Sequence, residues 1–596
     1  MKRIKDHIIK GKKSFTKLFI LPSFFFLLPA VTTSCIDEET PTQEASAEQV
    51  AGSSASFKML INGLNSKMIS QQNYYGESYR GTWYATQDWG YPCYMYIRET
   101  MLDGFPTTDA SWNYQIYYEK ASNLTGYSGC PFYYYYGLVN NANRILATLT
   151  DDVSDEMLQY YAMARVYRAL AYTDLALMYE FYPTGIADLD AKAQKILGLT
   201  VPLVTEETTR ESGKNNPRAP FYTMYRFIFN DLSIAEAALK NYSRTAKSEA
   251  NIDVVNSLLS RFWLNLATRF RKYPDDLAKQ LEHEGDNDGG KALGIKTANE
   301  CYQKAYDYAA KVVAAGYTPV TEAQWKDSKT GFNTENQAWI WEMRISSKEQ
   351  FTDYWCSHIG LTASEPTWGM AAYGGAYRCL ATKYYNKIQK GDWRKTSWIA
   401  PEDAGAATPP EKYNSLLKEE TAATKSEKTN FSRLPAYANL KFRPGSGSID
   451  DEQTGMLVDI PLIRVEEMHF NMIECTFYLN GLDAGKKALE NFLNTYRYTN
   501  SGYYCDASYS ADFVYEMIAQ KFIEFWGEGI LYNDFKRLRL AVIRDYVGTN
   551  YLDTYLLNSK DGYAAPWLNF YIPETERSFN SALENEMNPD PTPYCE

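Results

Sequence analysis

Histidine is scarce in this chain of 596 residues, where only His7, His283, His358 and His469 occur. Because these residues lie far apart in sequence, we expect neither a zinc site of clustered histidines nor His-based acid–base catalysis. The sequence also lacks a C-x-x-C pair, a glycine-rich phosphate loop and a nucleophile elbow. It therefore predicts no metal site, no cofactor and no catalytic residue.

Basic residues and cysteines are both in short supply. The 61 Lys and Arg are outnumbered by 73 Asp and Glu, which gives a formal net charge of -12. Binding to nucleic-acid phosphates needs concentrated Lys and Arg, so we expect no nucleic-acid partner. Of the 9 cysteines, those besides Cys35 are even in number. They permit disulfides in an exported chain, but their density is far below that of a disulfide-stapled scaffold.

The amino-terminal region has no apolar run long enough to span a bilayer, because its apolar segment extends only from Leu18 to Val31. The segment follows a basic stretch and ends just before Cys35, which is typical of a secretion signal and resembles a lipoprotein cleavage site. The acidic residues after Cys35 resemble the export signal of surface-exposed lipoproteins. We predict a signal peptide at 1–34, lipidation of Cys35 and a flexible tether at 35–56. The alternative is an ordinary signal peptide followed by an incidental cysteine.

Aromatic residues, in contrast, are abundant: 50 Tyr, 27 Phe and 13 Trp make up 15% of the chain. Many of them lie in two stretches without clean periodicity, Phe57 to Tyr136 and Trp341 to Thr382. Tyr and Trp combine an apolar face with a polar tip, so they suit a binding surface as well as a core. Irregular aromatic segments beside a regular scaffold favour a recognition function, because binding residues usually lie on loops that a rigid frame positions.

The longest helical pattern runs from Asp155 to Phe181. Its apolar residues form two offset stripes, which predicts a helix buried on both flanks and used as scaffold. Small residues among the large ones allow neighbouring backbones to approach closely, which favours stacked helix pairs. Pro183 and Gly185 are expected to end the helix.

Further helices and one long loop are predicted beyond this central helix. Further amphipathic helices are predicted at Val254 to Phe270 and Ala298 to Tyr317. Pro401 to Lys428, rich in Ala, Thr, Glu, Lys and Pro, is predicted to be a solvated loop.

Several of these segments resemble the SusD/RagB family of surface lipoproteins, in the same order along the chain. The run ARVYRALAYTDLALMYEFYP followed by VPLV is similar to the family signature, and NTENQAWIWE to its Asn-x-Glu strand. The stretch DIPLIRVEEMHFNMIECTFYLNG resembles the family's plIRyAE helix, Ile518 to Leu538 its ER..EL..EG.RW.DLKR segment and NFYIPETE its closing element. The resemblance implies a mainly α fold, a tetratricopeptide-like helical-repeat scaffold with irregular loops and a few short strands. It also implies a single SusD-like domain at 57–596, with an amino-terminal part at 57–300 and a carboxy-terminal part at 301–596.

Five positions depart from the family pattern. Glu466 and His469 stand where the family usually has Ala and an apolar residue, and Gln520, Lys521 and Leu531 replace Glu, Arg and Arg. The second set predicts that an ion pair common in the family is missing here.

The resemblance implies a cell-surface lipoprotein of the outer membrane that captures a glycan for a SusC-like TonB-dependent transporter, without catalysis. Some members of the family take peptides, so peptides or glycoprotein fragments stay open as the ligand. A helical-repeat adaptor without a small ligand is a second alternative, and a glycan-cleaving enzyme a third.

Two groups of acidic residues could form a catalytic pair or a calcium site. Glu524 and Glu528 are spaced as neighbours on a helix, and two carboxyl groups are what glycoside hydrolysis needs. The basic residues around them and Asp534 favour structural ion pairs instead. The loop from Glu282 to Gly290 begins like a calcium-binding loop, but Ile295 occupies the position where the last carboxylate would be.

A ligand site is predicted where the amino-terminal aromatic segment meets the irregular segment around Trp355 to Tyr377. A sugar ring needs flat aromatic platforms flanked by amide, carboxylate or guanidinium groups. The predicted aromatic platforms are Trp83, Trp89, Trp112, Trp368 and Tyr373. The predicted polar contacts are Gln87, Asp88, Asn113 and Arg378. Each Trp taken singly is about as well explained as a core residue.

Overall fold

The fold is mainly α, as predicted, in a computed structural model that describes residues 54–70, 90–109, 126–150, 153–350, 357–364, 369, 371, 375–417, 431–449, 451–500 and 502–594. Helices dominate these residues, and their strands form two small two-stranded sheets. None of the helices in these ranges is long and apolar enough to cross a membrane.

The helices and strands follow one another along the chain as two series. The first series consists of α1 (Ser54–Ile69), α2 (Gly90–Thr100), α3 (Gly126–Ala147), α4 (Asp155–Tyr179), α5 (Ala187–Lys192), β1 (Leu199–Pro202), α6 (Arg210–Gly213), β2 (Arg218–Pro220), α7 (Phe221–Ala238), α8 (Ile252–Lys272) and α9 (Pro274–Glu282). The second consists of α10 (Ala298–Ala314), α11 (Glu322–Trp325), β3 (Trp339–Arg344), α12 (His358–Thr362), α13 (Thr382–Tyr385), α14 (Glu452–Gly455), β4 (Asp459–Arg464), α15 (Val465–Asn480), α16 (Leu482–Tyr496), α17 (Ser510–Phe525), α18 (Leu531–Leu538) and α19 (Glu574–Phe579).

Helix α4 lies at the centre of the scaffold, between α3 and α7. It begins after Ser154, whose hydroxyl accepts a hydrogen bond from the Met157 amide, and acidic residues occupy its first turn. Buried side chains surround it on nearly every side. The predicted helix buried on both flanks is therefore confirmed, although it ends at Tyr179, two residues before the predicted end.

The remaining long helices stack beside α4 in the expected way. Helix α8 packs against α10, which packs against α15, and α15 packs against α16. Helix α10 was predicted to extend to Tyr317, but it ends at Ala314, and Gly316 then adopts a φ of +99°. This left-handed conformation suits glycine and ends the helix.

The stretch from Asp459 to Gly481 is not one helix, so that prediction is wrong in its first six residues. These residues form β4, which pairs antiparallel with β3, and the helix begins only at Val465. Pro461 explains the difference, because the residue before a proline disfavours the helical conformation and an edge strand tolerates the missing N–H.

Two segments interpreted as irregular contain more structure than expected. The stretch from Phe57 to Tyr136 includes α1, α2 and the first part of α3. Within the predicted solvated loop, Tyr413, Leu416 and Leu417 are buried and belong to a small core of their own. Short apolar runs of this kind lack a period that would identify them as core from sequence.

Residues near the carboxyl end return to the end of α4. The amide of Phe570 and the Lys536 ammonium both donate to the Met178 carbonyl, at 3.0 and 2.9 Å. The side-chain amide of Asn588 donates to the Tyr179 carbonyl at 2.9 Å. These donors satisfy carbonyls that the last turn of a helix leaves without partners.

The described cysteines are all buried. Cys301, Cys379, Cys475 and Cys505 are thiols that form no disulfide. Burial raises the pKa of the Cys379 thiol to about 12, so it is protonated and unreactive at neutral pH. Cys356 and Cys595 lie outside the described residues.

Candidate functional site

Two segments that are remote in sequence run side by side at the place predicted for the site. Residues 104–108 and 375–381, here called the seam, form an antiparallel bridge between Thr107 and Arg378. The Cys379 amide donates to the Pro106 carbonyl at 2.9 Å, and the Thr108 amide donates to the Tyr377 carbonyl at 3.2 Å. The two aromatic segments therefore meet along their described ends.

Arg378, one of the predicted polar ligand contacts, holds the seam together. Its side chain is only 1% exposed. The guanidinium donates to the Thr107 hydroxyl at 2.6 Å and to the Leu361 carbonyl at 3.2 Å, and it lies 5.6 Å from the centre of the Tyr96 ring. Its Nη2 atom has no hydrogen-bond partner in the described structure. Contact between Arg378 and a ligand stays a prediction.

The other predicted site residues lie outside the described part of the chain. They are Cys35, Trp83, Gln87, Asp88, Trp89, Trp112, Asn113, Trp368 and Tyr373. In sequence, Trp112 follows the described residue Asp109 by three positions, and Tyr373 precedes Gly375 by two.

Trp526 contacts both segments of the seam. Its indole N–H donates to the Gly104 carbonyl at 3.1 Å and to the Cys379 carbonyl at 3.3 Å. Its ring stacks on that of Phe105, with the ring centres 4.5 Å apart. Trp526 begins the turn between α17 and α18, in which Gly529 has a φ of +68°. A Cβ atom on Gly529 would come within 2.5 Å of the Met95 backbone on α2, so only glycine allows this close approach.

Glu524 and Glu528, which precede and follow Trp526, are structural, as predicted. Glu524 is fully buried and accepts hydrogen bonds from three guanidinium groups, those of Arg394, Arg464 and Arg497. Despite burial, these cations hold the pKa of Glu524 well below its usual value. Glu528 accepts from the buried Lys441 ammonium at 2.6 Å. A carboxylate whose pKa lies well below its usual value holds no proton to donate, so Glu524 does not suit the role of a general acid.

Lys521 forms an ion pair at one of the three substituted positions. The Lys521 ammonium contacts the Asp534 carboxylate, and Asp534 also accepts from Arg537 at 2.7 Å. Arg537 in turn pairs with Glu474 of α15. Lysine therefore keeps a positive charge where the family pattern has arginine, whereas Gln520 and Leu531 carry none, so the loss of a family ion pair stays a prediction.

The acidic loop that resembled a calcium-binding loop contacts an arginine instead. Arg226 of α7 donates to the Asp288 carboxylate and, at 3.1 Å, to the Asp286 carbonyl. Glu284 accepts from the Gly294 amide at 3.0 Å. Within the described ranges, no three His, Cys, Asp or Glu side chains are grouped so that they could hold a metal ion.

A large open cavity of about 610 Å³ adjoins one end of the seam. Asp103, next to Gly104, accepts hydrogen bonds from the Lys383 ammonium at 2.6 Å, the Tyr384 hydroxyl at 2.7 Å and the Ile543 amide at 2.7 Å. The apolar part of its lining, here called the floor, consists of Ile518, Ala519, Phe535 and Ala541. Its polar lining includes Lys387, Tyr515, Glu516 and Tyr546.

The open cavity has the mixed lining that a sugar or a peptide needs. Its volume falls within the range of small-molecule sites, which are mostly apolar with a few placed polar groups. Tyr515 is 43% exposed and donates to the Asp561 carboxylate, which fixes its phenol ring. Sequence reasoning missed this cavity because its residues come from several distant stretches, and the only local signal is the cluster of tyrosines between Tyr503 and Tyr515.

Part of the chain matches a known protein family. A sequence profile of a SusD-like family, described as starch-binding associating with outer membrane, matches residues 94–264. These residues include α4 and the 104–108 segment of the seam. No curated protein is similar enough in sequence to give a match.

Solved structures with the same fold cover most of the chain. A SusD-like carbohydrate-binding protein from Bacteroides vulgatus has 18% identity and a TM-score of 0.62, over 90% of this chain and 98% of that one. A SusD superfamily protein from Bacteroides thetaiotaomicron has 18% identity and a TM-score of 0.58, over 90% and 100%. A SusD superfamily protein from Parabacteroides distasonis has 16% identity and a TM-score of 0.56, over 89% and 98%. At these identities the structures show the fold.

Proposed function

We propose that this chain, which has the fold of SusD-like proteins and matches a SusD-like family profile over residues 94–264, captures a glycan at the cell surface without cleaving it. It then delivers the glycan to a SusC-like TonB-dependent transporter in the outer membrane. The lipid on Cys35 anchors it to that membrane, since two or more acyl chains hold a protein at a bilayer where a single chain does not.

The observation that carries the proposal is the seam. The Thr108 hydroxyl donates a hydrogen bond of 2.7 Å to the Gly375 carbonyl. This bond joins the two segments close to the last described residue of the first and the first described residue of the second. The two segments therefore approach each other at the residues that the structure describes. The aromatic residues predicted as platforms belong to these same two segments in sequence, and stacking on sugar rings requires such platforms.

Non-catalytic capture agrees with the charge arrangement beneath the seam. Glu524, Glu528 and Asp534 are buried and each is paired with Lys or Arg, so their geometry is that of structural ion pairs and not of an open catalytic pair. Binding without turnover is therefore the activity that these residues support.

The test is retention of the purified protein in native gels that contain soluble starch, xylan, pectin or arabinogalactan. Slower migration in at least one gel, without release of reducing ends, supports the proposal. Unchanged migration in every gel, or steady release of reducing ends from any of these glycans, contradicts it.

The apolar floor of the open cavity also suits peptide side chains, so peptide capture is the second candidate. Calorimetry against a tryptic digest of casein tests it. Binding of peptides together with absence of glycan retention would favour that candidate over the first.

A further inference from the structure

A second, smaller pocket lies between the first helix and the β3–β4 sheet. This polar pocket has a volume of about 230 Å³ and is lined by Asn62, Asn65 and Ser66 of α1 and by Trp341, Glu342 and Arg344 of β3. Its volume is below that of pockets for drug-sized ligands, so it suits a single ring. The side chains named here differ from those predicted from the sequence.

The helix side of the polar pocket is a polar stripe. Asn62, Asn65, Ser66 and Ile69 line the pocket at positions i, i+3, i+4 and i+7, which form one face of a helix. The first three of these would normally be apolar if this face were packed against a core. Asn65 is oriented by the hydroxyl of Tyr167, which donates to its side-chain oxygen.

The strand side of the polar pocket is shaped by a bulge. The register between β3 and β4 shifts on both sides of Trp341, and a bulge redirects side chains that would otherwise alternate between faces. As a result, the consecutive residues Trp341 and Glu342 both line the same pocket. The Trp341 indole donates to the Ser248 carbonyl at 3.1 Å, which fixes its ring.

Glu342 is the group in the polar pocket that most needs a partner. Its side chain is fully buried, and neither carboxyl oxygen makes a contact of good hydrogen-bond geometry in the described structure, although the group also faces the Glu335 carboxyl group. The nearest cation is Arg344, whose Nη2 atom lies 3.2 Å from Glu342 Oε1. Arg344 also binds Asp459 at 3.0 Å and Glu335 at 2.9 Å, so its donors are shared. Leaving a buried carboxyl group without a hydrogen bond is costly, and a bound ligand would remove that cost.

The charges around the polar pocket favour a neutral ligand. Burial, with repulsion from Asp459 and Glu335, raises the pKa of Glu342 to about 8, so this group is protonated near neutral pH. The carboxylates of Asp459 and Glu335 both pair with Arg344, and Glu335 also interacts electrostatically with Lys247. A protonated carboxyl group donates one hydrogen bond and accepts others, which matches a hydroxyl group.

We propose that the polar pocket binds one neutral hexose ring, with Glu342 and the amides of Asn62 and Asn65 in contact with its hydroxyl groups. The inference rests on the proposed function, because the ring belongs to the captured glycan. It adds a subsite on α1 and β3 that is built separately from the seam.

The test compares two substitutions on the same helix. Asn62→Phe puts a ring into the mouth of the polar pocket, whereas Met59→Phe changes a residue that is 66% exposed and does not line it. Titration calorimetry with glucose, galactose and mannose should show binding by the unmodified protein and by Met59→Phe. Asn62→Phe should weaken that binding at least tenfold, and glucosamine and glucuronate should bind more weakly than the neutral sugars.

Ser66→Leu serves as the second blocking variant if Asn62→Phe does not fold, as judged by circular dichroism. The inference is overturned if the unmodified protein binds none of the three hexoses, or if the folded blocking variant binds them as tightly as the unmodified protein. Retention in polysaccharide gels separates the two proposals. Retention of the unmodified protein with either of those results removes only the hexose subsite, whereas absence of retention removes glycan capture itself.

Discussion

The guanidinium of Arg378 donates a hydrogen bond of 2.6 Å to the hydroxyl of Thr107, although 271 residues separate them in sequence. Both side chains are buried, so the bond is shielded from water. Hydrogen bonds to charged groups are stronger than neutral ones. The bond therefore fixes how the two segments of the seam lie relative to each other, and we expect binding of a ligand that contacts both to depend on it.

Thr107→Val should weaken glycan retention severalfold and lower the free energy of unfolding by about 1–3 kcal/mol, because Arg378 loses a partner in a buried place. Urea unfolding and native gels measure the two effects. Thr495→Val, which removes an exposed hydroxyl of α16 that bonds only to Asn491, is the matched control and should change neither. Unchanged retention in Thr107→Val would show that ligand binding does not use the seam.

The predicted aromatic platforms can be tested singly and in pairs. Alanine at Trp83, Trp89, Trp112 or Trp368 should each weaken binding severalfold, since a stacked ring contributes about 0.5–1.5 kcal/mol. Two such substitutions together should abolish measurable affinity without changing the melting temperature. Phe579→Ala, at an exposed ring of α19, is the control. If all four Trp can be replaced with affinity intact, the site lies elsewhere.

Membrane attachment should depend on one sulfur atom. Cys35→Ala should move the protein from the outer-membrane fraction to the soluble fraction, because no acyl chain can then be attached. Fractionation with antibody detection measures the distribution, and Ser34→Ala serves as the neighbouring control. A Cys35→Ala protein that stays with the membrane through a high-salt wash would place the anchor elsewhere.

The carboxylate of Glu524 should matter for stability. Glu524→Ala leaves three buried guanidinium groups without their shared partner, and breaking a buried ion pair typically costs about 3–5 kcal/mol. Glu211→Ala, which removes an exposed pair with Lys214, should cost less than about 1 kcal/mol. Denaturant unfolding compares the two variants. Equal stability of both would mean that the network beneath the seam contributes nothing.

Stability should fall with rising pH because of Glu99. Burial raises the pKa of Glu99 from 4.5 to about 8, against the opposing hydrogen bond from the Gly529 amide. The folded protein thus keeps a proton that the unfolded chain releases, so the stabilisation is complete below pH 4.5 and is lost as pH rises through 8.

One such proton changes the unfolding free energy by at most about 1.4 kcal/mol per pH unit. Glu99→Gln should flatten the pH dependence between 4.5 and 8 relative to the unmodified protein, as measured by unfolding at several pH values. Glu156→Gln, at an exposed position of α4, should leave the slope as it is. Identical slopes for Glu99→Gln and the unmodified protein would contradict the assignment.

The long helices could be predicted because their pattern is local. Helix α4 shows its burial in two apolar stripes and α10 in one, whereas α8 is buried at every position from Val254 to Phe270 except Arg261. The strand β4 was predicted as helix because the family pattern runs through it without a break, although Pro461 marks the boundary. Tyr413 and Leu416 were missed because their burial depends on residues such as Phe431 and Leu440, which lie well beyond them in sequence.

The site was predictable only as two regions. Their aromatic composition drew attention to both, and the family resemblance suggested a ligand, but no pattern pairs Thr107 with Arg378. The ring of Trp526 beneath the seam and the apolar floor around Phe535 are assembled by tertiary packing from distant stretches. The unpartnered carboxyl group of Glu342 depends on a bulge in β3, which has no sequence signal of its own.

The end of α4 also determines when the protein can finish folding. Its last carbonyls accept hydrogen bonds from Lys536 and Asn588, which are 358 and 409 residues further along the chain. Closing a loop of that length costs roughly 3 kcal/mol more entropy than closing a loop of ten residues. During synthesis, which starts at the amino end, α4 can form early. Its last carbonyls obtain their donors only after Lys536 and Asn588 have been synthesised. The end of α4 is therefore completed by residues near the carboxyl end, and a truncation that removes Asn588 should leave the Tyr179 carbonyl without this donor.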